Sequence, residues 1–377
     1  MTALHPADTV PSVRRGWSTP KIPARLVAGL VTDWARPELS TLWRETDPEK
    51  FLWGILPHAA RSFAASIVVL PESQARAAAI AYLYCRMLDT YEDLAATPEQ
   101  AEEGLRRFAG RFNDQLPAES PPLDPGGSVT ERERAYLLLL ARIELVDRLY
   151  LGLGPATRDQ VAGLVASMAD GMIWSTTTFE RQGGVLADRD QLATYCRNVI
   201  GNPILFMLEQ IGNRRLDETA REDALRASEM IQLANVTRDI EKDLARGIAY
   251  HPALKPYLGR PGSDPEIAPV VREVRQEYLG MALEQAPAYR RMFEGLRLDG
   301  SPRIRMAAVL MLLFTDLHYR GCALRTGNLS WAGPRGATQV IARAVPSLVS
   351  RSAATRTIRR VERDFLTALD RLGISPV

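Results

Sequence analysis

With 377 residues, 46% of them hydrophobic and 24% charged, the chain is long enough to bury a large core and has the balance of a globular protein, not of a disordered or fibrous one. A formal net charge of +2 offers no electrostatic footprint for nucleic acid. Cys85, Cys196 and Cys322 lack C-x-x-C spacing and read as reduced thiols of a cytoplasmic protein, and the four scattered histidines form no zinc-type pair.

Taken in chain order, residues 1–35 are Pro-rich and polar, lack the apolar run of a signal peptide, and read as a loose tail. From 36 to 350, long segments with apolar positions three and four apart alternate with short Pro-, Gly- or Asp-bearing breaks. The breaks fall near Pro71, at 116–127, 152–159 and 183–190, near Asp217, and at 259–266, 298–302 and 331–336. No segment keeps a two-residue alternation of β-branched residues. The expectation is an all-α, single-domain bundle of about ten or more helices, without internal repeats. The apolar run "MAAVLMLLF" at 306–314 is far shorter than the roughly 20 residues of a membrane span and reads as a buried helix. Residues 351–377 hold a C-terminal amphipathic helix, basic in its first half. It fits either an ordinary packed terminal helix or peripheral contact with a membrane surface.

One helical stretch, "AYLYCRMLDTYEDL" at 81–94, carries Asp89 and Asp93. Aspartate costs some tenths of a kcal/mol in a helix interior relative to alanine, so a solvated face would favour Glu or Lys instead. On a helical wheel Tyr82, Arg86, Asp89 and Asp93 share one side, opposite Leu83, Tyr84, Met87 and Tyr91. The only other D-x-x-x-D lies in "IQLANVTRDIEKDLARG" at 231–247, where Asn235, Asp239 and Asp243 form a ladder with Gln232 one turn earlier. Two helices thus each present a stripe of short-armed oxygen ligands.

Mg²⁺ takes octahedral oxygen ligands and is usually held by a few carboxylates together with substrate phosphate oxygens. Two facing stripes make a mouth that clamps a diphosphate, and Arg61, Arg86 and Arg238 supply guanidinium forks for its oxygens. A metal-bound diphosphate is a leaving group. If its chain is allylic, departure leaves a carbocation that an apolar cavity must shield from water. "SFAASIVVL" (62–70), with Phe63, and "VIGNPILFMLEQIG" (199–212) are candidate cavity walls, although both read equally as plain core.

At these residues the chain resembles the squalene and phytoene synthase family of head-to-head prenyl synthases. "YLYCRMLDTYEDL" and "NVTRDIEKD" are similar to its two aspartate-rich motifs, "ARSFAASI" to its upstream Ser-Phe motif, and "YCRNVIG" to its Tyr-Cys-x-x-Val-Ala-Gly segment, in the family's order over roughly 45–330. The resemblance implies the isoprenoid synthase fold, with helices around a central apolar cavity. It implies Mg²⁺ at Asp89, Asp93, Asn235, Asp239 and Asp243, assisted by Gln232. Diphosphates would be held by Arg61, Ser62, Arg86, Arg238, Gln232 and Tyr250, with Tyr82 and Tyr195 beside the reacting carbons. Phe63, Val199, Gly201, Asn202, Pro203 and Phe206 would line the cavity. The implied reaction joins two farnesyl or geranylgeranyl diphosphates through a cyclopropylcarbinyl diphosphate. NADPH is drawn on if the product is squalene and not if it is phytoene. Prenyl diphosphates are the expected partners, nucleic acid is not, and apart from any peripheral membrane contact the chain is expected to act as a monomer. The sequence departs from the family pattern at Lys242, where Glu is common, and at Asn202-Pro203, which resembles bacterial relatives that make hydroxysqualene. Two alternatives stay open: a class I terpene cyclase on the same fold, and a non-catalytic helper that retains it.

Overall fold

The computed structural model describes residues 39–113, 119–125, 127–326 and 331–372, and among them every regular element is helical. Residues 1–35, read above as a tail, lie outside the described residues. The chain runs through α1 (Ser40–Arg44), α2 (Pro48–Ala60), α3 (Ser62–Val68), α4 (Glu72–Leu94), α5 (Pro98–Asn113), α6 (Glu131–Ala141), α7 (Ile143–Leu151) and α8 (Pro155–Gln182). It continues through α9 (Arg189–Cys196), a π-helical turn (Arg197–Gly201), α10 (Asn202–Gly212), α11 (Glu218–Ala245) and a 3₁₀ turn (Pro252–Tyr257). The final elements are α12 (Ala268–Leu283), α13 (Ala286–Gly295), α14 (Pro302–Thr326), α15 (Ala337–Ala344), α16 (Pro346–Val349) and α17 (Arg351–Arg371). Each break expected from the sequence includes a junction between two of these helices, although those at 152–159 and 183–190 run on into the first residues of α8 and α9.

The two helices that carry the aspartates are set by local chemistry. α4 follows Pro71 directly, is rich in Ala and Leu, and buries Ala78, Leu83, Tyr84, Met87 and Tyr91 against α5 and α8. α11 starts at Asp217, whose carboxylate accepts the Ala220 N–H at 2.9 Å, a cap worth about 1 kcal/mol. It then buries Ala227, Met230, Leu233, Val236 and Ile240 against α12, α13 and α14. α6 begins with a reciprocal capping box between Thr130 and Glu133. α8 ends at Gly183, in the left-handed region, and the following Gly184 lets the chain touch the loop after α11: a Cβ there would stand 2.3 Å from the Gly247 carbonyl.

α14 corrects the length inferred from its apolar run. It has 25 residues and is long and apolar enough to cross a membrane, yet most of its apolar stretch is buried, as the central helix of the core. α17 lays its whole apolar stripe, Ala354, Ile358, Val361, Phe365, Ala368 and Leu369, into the bundle against α14, α13 and α12. Phe365 meets Tyr319 edge-on, and Arg290 and Arg359 pair with Glu362 and Glu294. The stripe that a surface-lying helix would turn to lipid is therefore occupied by the protein's own core.

Candidate active site

A cavity of about 840 Å³ runs between α3, α4, α10, α11, α13 and α14. Its deep walls are apolar, with Leu164, Ile204, Met207, Ile211, Met292, Leu298, Ile304 and Met311. Its mouth is charged. Asp89 and Asp93 reach it from α4, Asn235 and Asp239 from α11, and Arg61, Arg86 and Arg238 border them. Of the other expected residues, Ser62, Phe63, Tyr82, Tyr195, Val199, Pro203, Phe206 and Gln232 also line it.

Four expected residues lie elsewhere. Asp243 is one turn beyond Asp239, off the cavity wall but close enough to Asp93 for the two charges to repel. Tyr250 stands behind Tyr195, their hydroxyls 3.2 Å apart and their rings 4.9 Å apart. Gly201 and Asn202 do not line the cavity. Gly201 packs onto α11, where a Cβ would meet Leu225 at 3.0 Å and Ser228 at 3.2 Å. Asn202 turns its amide toward α8, because a π turn precedes it and rotates it off the wall.

Arg86 is the most enclosed of the three arginines expected at the mouth. It pairs with Asp89 at 3.0 Å, donates to the Tyr82 hydroxyl at 3.3 Å, and stacks 5.1 Å from the centre of the Tyr136 ring. Burial, the largest single influence, would lower its pKa, but Asp89, Tyr82 and Tyr136 together outweigh it and hold the group charged. Its Nε is buried without a protein partner, a donor free for an anionic oxygen. Arg238 grips Asp239 with both arms, Nε to Oδ1 at 2.8 Å and Nη2 to Oδ2 at 2.5 Å. That fork overrides burial and keeps Asp239 below the usual carboxylate range. Arg61 occupies the corner between α2 and α3 at φ 51° and ψ −118°, a conformation rare for any residue with a Cβ. Burial, then Arg238 and Arg132, lower its pKa, so three guanidinium groups converge there.

The carboxylates experience the opposite stress. Burial lifts Asp89 to about 6, with Arg86 opposing and Asp93 adding repulsion. Burial and then Asp239 lift Asp243 to about 7. Glu92, on the same helix, rises to about 8 through burial, although Ser175 donates to it at 2.5 Å. Closely gathered acids that resist ionisation are a donor set suited to a divalent cation, which would relieve their repulsion. Among the described residues no three His, Cys, Asp or Glu side chains are clustered tightly enough to hold an ion unaided. Mg²⁺ bound by these stripes would thus need water or phosphate oxygens to complete its shell.

A pH dependence follows. Asp89, Glu92 and Asp243 have folded pKa values above their ordinary ones, so between about pH 5 and 8 the metal-free folded state binds more protons than the unfolded state. Without metal, the melting temperature should fall as pH rises from 5.5 to 8, and saturating Mg²⁺ should reduce that slope. A flat or rising metal-free profile would contradict these environments.

Several residues of the mouth escape sequence reasoning. Arg132, Glu133 and Tyr136 come from α6, and Arg246 from the end of α11, where it pairs with Glu133 at 3.1 Å. His318 reaches the cavity from α14, where burial, Arg238 and Arg61 lower its pKa to about 4 and leave the imidazole neutral. Only Arg246 had a local signal, one turn after Lys242 on the aspartate helix.

Fold and site together define a class of protein: a helical bundle around an apolar cavity, with a mouth of opposed carboxylate stripes and convergent guanidinium groups. Residues 56–317 match the squalene/phytoene synthase family, and the chain belongs to it. The squalene synthase of Candida albicans is 27% identical over 197 residues, 51% of this chain and 42% of that one. That of Eremothecium gossypii is 26% identical over 208 residues, 54% and 46% of the two chains. The matched region spans less than half the length of these relatives. Two ligand complexes of TcSQS superpose with TM-scores of 0.61 and 0.59 at 21% and 20% identity, covering 86% and 85% of this chain and 98% of each of those. At that identity the likeness concerns the fold.

Proposed function

We propose that the protein is a prenyltransferase that ionises allylic diphosphates and joins two of them head-to-head into a squalene-, hydroxysqualene- or phytoene-type product. The observation that carries this reading is the pairing of the two oxygen stripes and their arginines over an apolar cavity of about 840 Å³, large among the roughly 300–1,000 Å³ of small-molecule sites.

Arg61, Arg86 and Arg238 bind the diphosphate and stabilise the charge that grows on it as the C–O bond breaks. Their partial burial makes each contact stronger than it would be in water. Mg²⁺ held by Asp89, Asp93, Asn235, Asp239 and Asp243 would neutralise that leaving group further. Gln232 steadies the second stripe, accepting from the Asn235 amide at 3.1 Å. The rings of Tyr82 from α4 and Tyr195 from α9 both line the cavity and would offer π faces to the cation, and Tyr250 contacts the hydroxyl of Tyr195. Apolar side chains deeper in the cavity hold the prenyl tails and keep water from quenching the cation early.

The test is incubation with farnesyl or geranylgeranyl diphosphate and Mg²⁺, with and without NADPH, followed by mass spectrometry of organic extracts. A C30 or C40 product is expected, and its response to NADPH reports whether the last cation is reduced. A C15 or C20 cyclic product would replace this reading with that of a terpene cyclase.

A further inference from the structure

The wall between Tyr195 and Ile204 is built in a way that a regular helix cannot reproduce. Nine residues at about 100° each would set these two side chains about 180° apart, yet both line the same cavity. The π turn at Arg197–Gly201 lies between them and winds part of that angle back. Its bonding has a gap. The Asn202 N–H donates to the Arg197 carbonyl, five residues back, so it is not spent on Asn198 at the α spacing. At the π spacing Asn198 would look to residue 203, which is proline and has no N–H. The Asn202 side chain fills the gap: its Nδ2 donates to the Asn198 carbonyl at 3.2 Å and reaches the Ser167 carbonyl of α8 at 3.4 Å.

The surroundings hold the turn from both sides. Asn198 fits against Gly171 of α8, where a Cβ would come within 2.7 Å of it. Arg197 Nε bonds Glu229 of α11 at 2.6 Å. Val199 and Ile200, about one turn from Tyr195, and Pro203, about two turns on, are thereby presented to the cavity.

We propose that Asn202 is a positioning residue: its carboxamide supplies the hydrogen bond that Pro203 cannot, holds the π turn, and so sets the contour of the wall that decides which product forms. The product half of this inference rests on the prenyl-transfer reading above; the hydrogen-bond half does not.

A double-mutant cycle tests it. Asn202→Leu keeps the volume and removes the donor, leaving the Asn198 carbonyl without a partner, and it should change the ratio of major to minor products about fivefold. In a Pro203→Ala background, residue 203 regains an N–H for that carbonyl, and the same Asn202→Leu change should alter the ratio less than twofold. Melting temperatures measured on all four proteins should show the same non-additivity, and Asn202→Ala, which also lacks a donor, replaces Asn202→Leu if the latter does not fold. Equal effects in both backgrounds would overturn the proposal, as would coupled melting temperatures with an unchanged product ratio. If the wild-type protein turns over no prenyl diphosphate, the prenyl-transfer reading fails, while additive melting temperatures would separately refute the hydrogen-bond role.

Discussion

Asparagine in place of Asp239 is expected to lower turnover of an allylic diphosphate by about a hundred- to a thousandfold, the size of effect seen when one preorganised electrostatic group is lost from an active site. The fold should hardly notice. Asp239 is 31% exposed, and its pairing with the adjacent Arg238 is the kind of partly solvated contact worth about 0–1 kcal/mol. Asp89→Asn should give a similar loss of activity with a different signature in stability. Burial and the neighbouring Asp93 make the Asp89 charge unwelcome in the metal-free protein, so removing it should leave the metal-free melting temperature unchanged or higher. Stabilisation by Mg²⁺ should shrink in both variants. Turnover and melting curves measured side by side with and without Mg²⁺ check this. Marked unfolding of either variant would assign the stripes a structural role.

Arg61→Gly is expected to separate stability from activity through the backbone. Arg61 has φ 51° and ψ −118°, a region that glycine enters freely and that costs other residues on the order of 1–3 kcal/mol. The strain has a structural origin. α2 ends and α3 begins at this one residue, so the chain must turn sharply there, and the turn brings Arg61 to the cavity mouth beside Arg238 and Arg132. Glycine should relieve the strain and offset part of what is lost with the side chain's own contacts, so Arg61→Gly should melt higher than Arg61→Ala. Both variants should lose about a hundredfold or more in turnover, because the guanidinium is gone in each. Equal melting temperatures for the two would show that the backbone at Arg61 is not strained, and near-normal turnover would remove it from the diphosphate site.

The parts of this molecule that were legible in its sequence share a physical cause. The aspartate stripes follow from i, i+4 geometry within single helices, and α4 and α11 form with caps and apolar faces that the residues dictate locally. Pro203 announced a break in its helix through its missing donor. Its form, a π turn closed by the Asn202 amide, depends on Gly171 and Ser167 of α8, some thirty residues earlier in the chain, which no local pattern reveals. The same holds for Arg132, Tyr136 and His318, which join the mouth through packing of α6 and α14 and carry no spacing of their own. Tyr250 is the converse case: contact with Tyr195 through its hydroxyl and ring puts it behind the wall, whereas its place after the aspartate motif suggested a diphosphate-binding residue.

The central claim, that two diphosphates leave for each product formed, is tested most directly by counting inorganic diphosphate against hydrocarbon in one reaction with farnesyl or geranylgeranyl diphosphate and Mg²⁺. The account predicts two diphosphates released per C30 or C40 molecule. One diphosphate per C15 or C20 product, or none released by folded, Mg²⁺-bound protein, would contradict it.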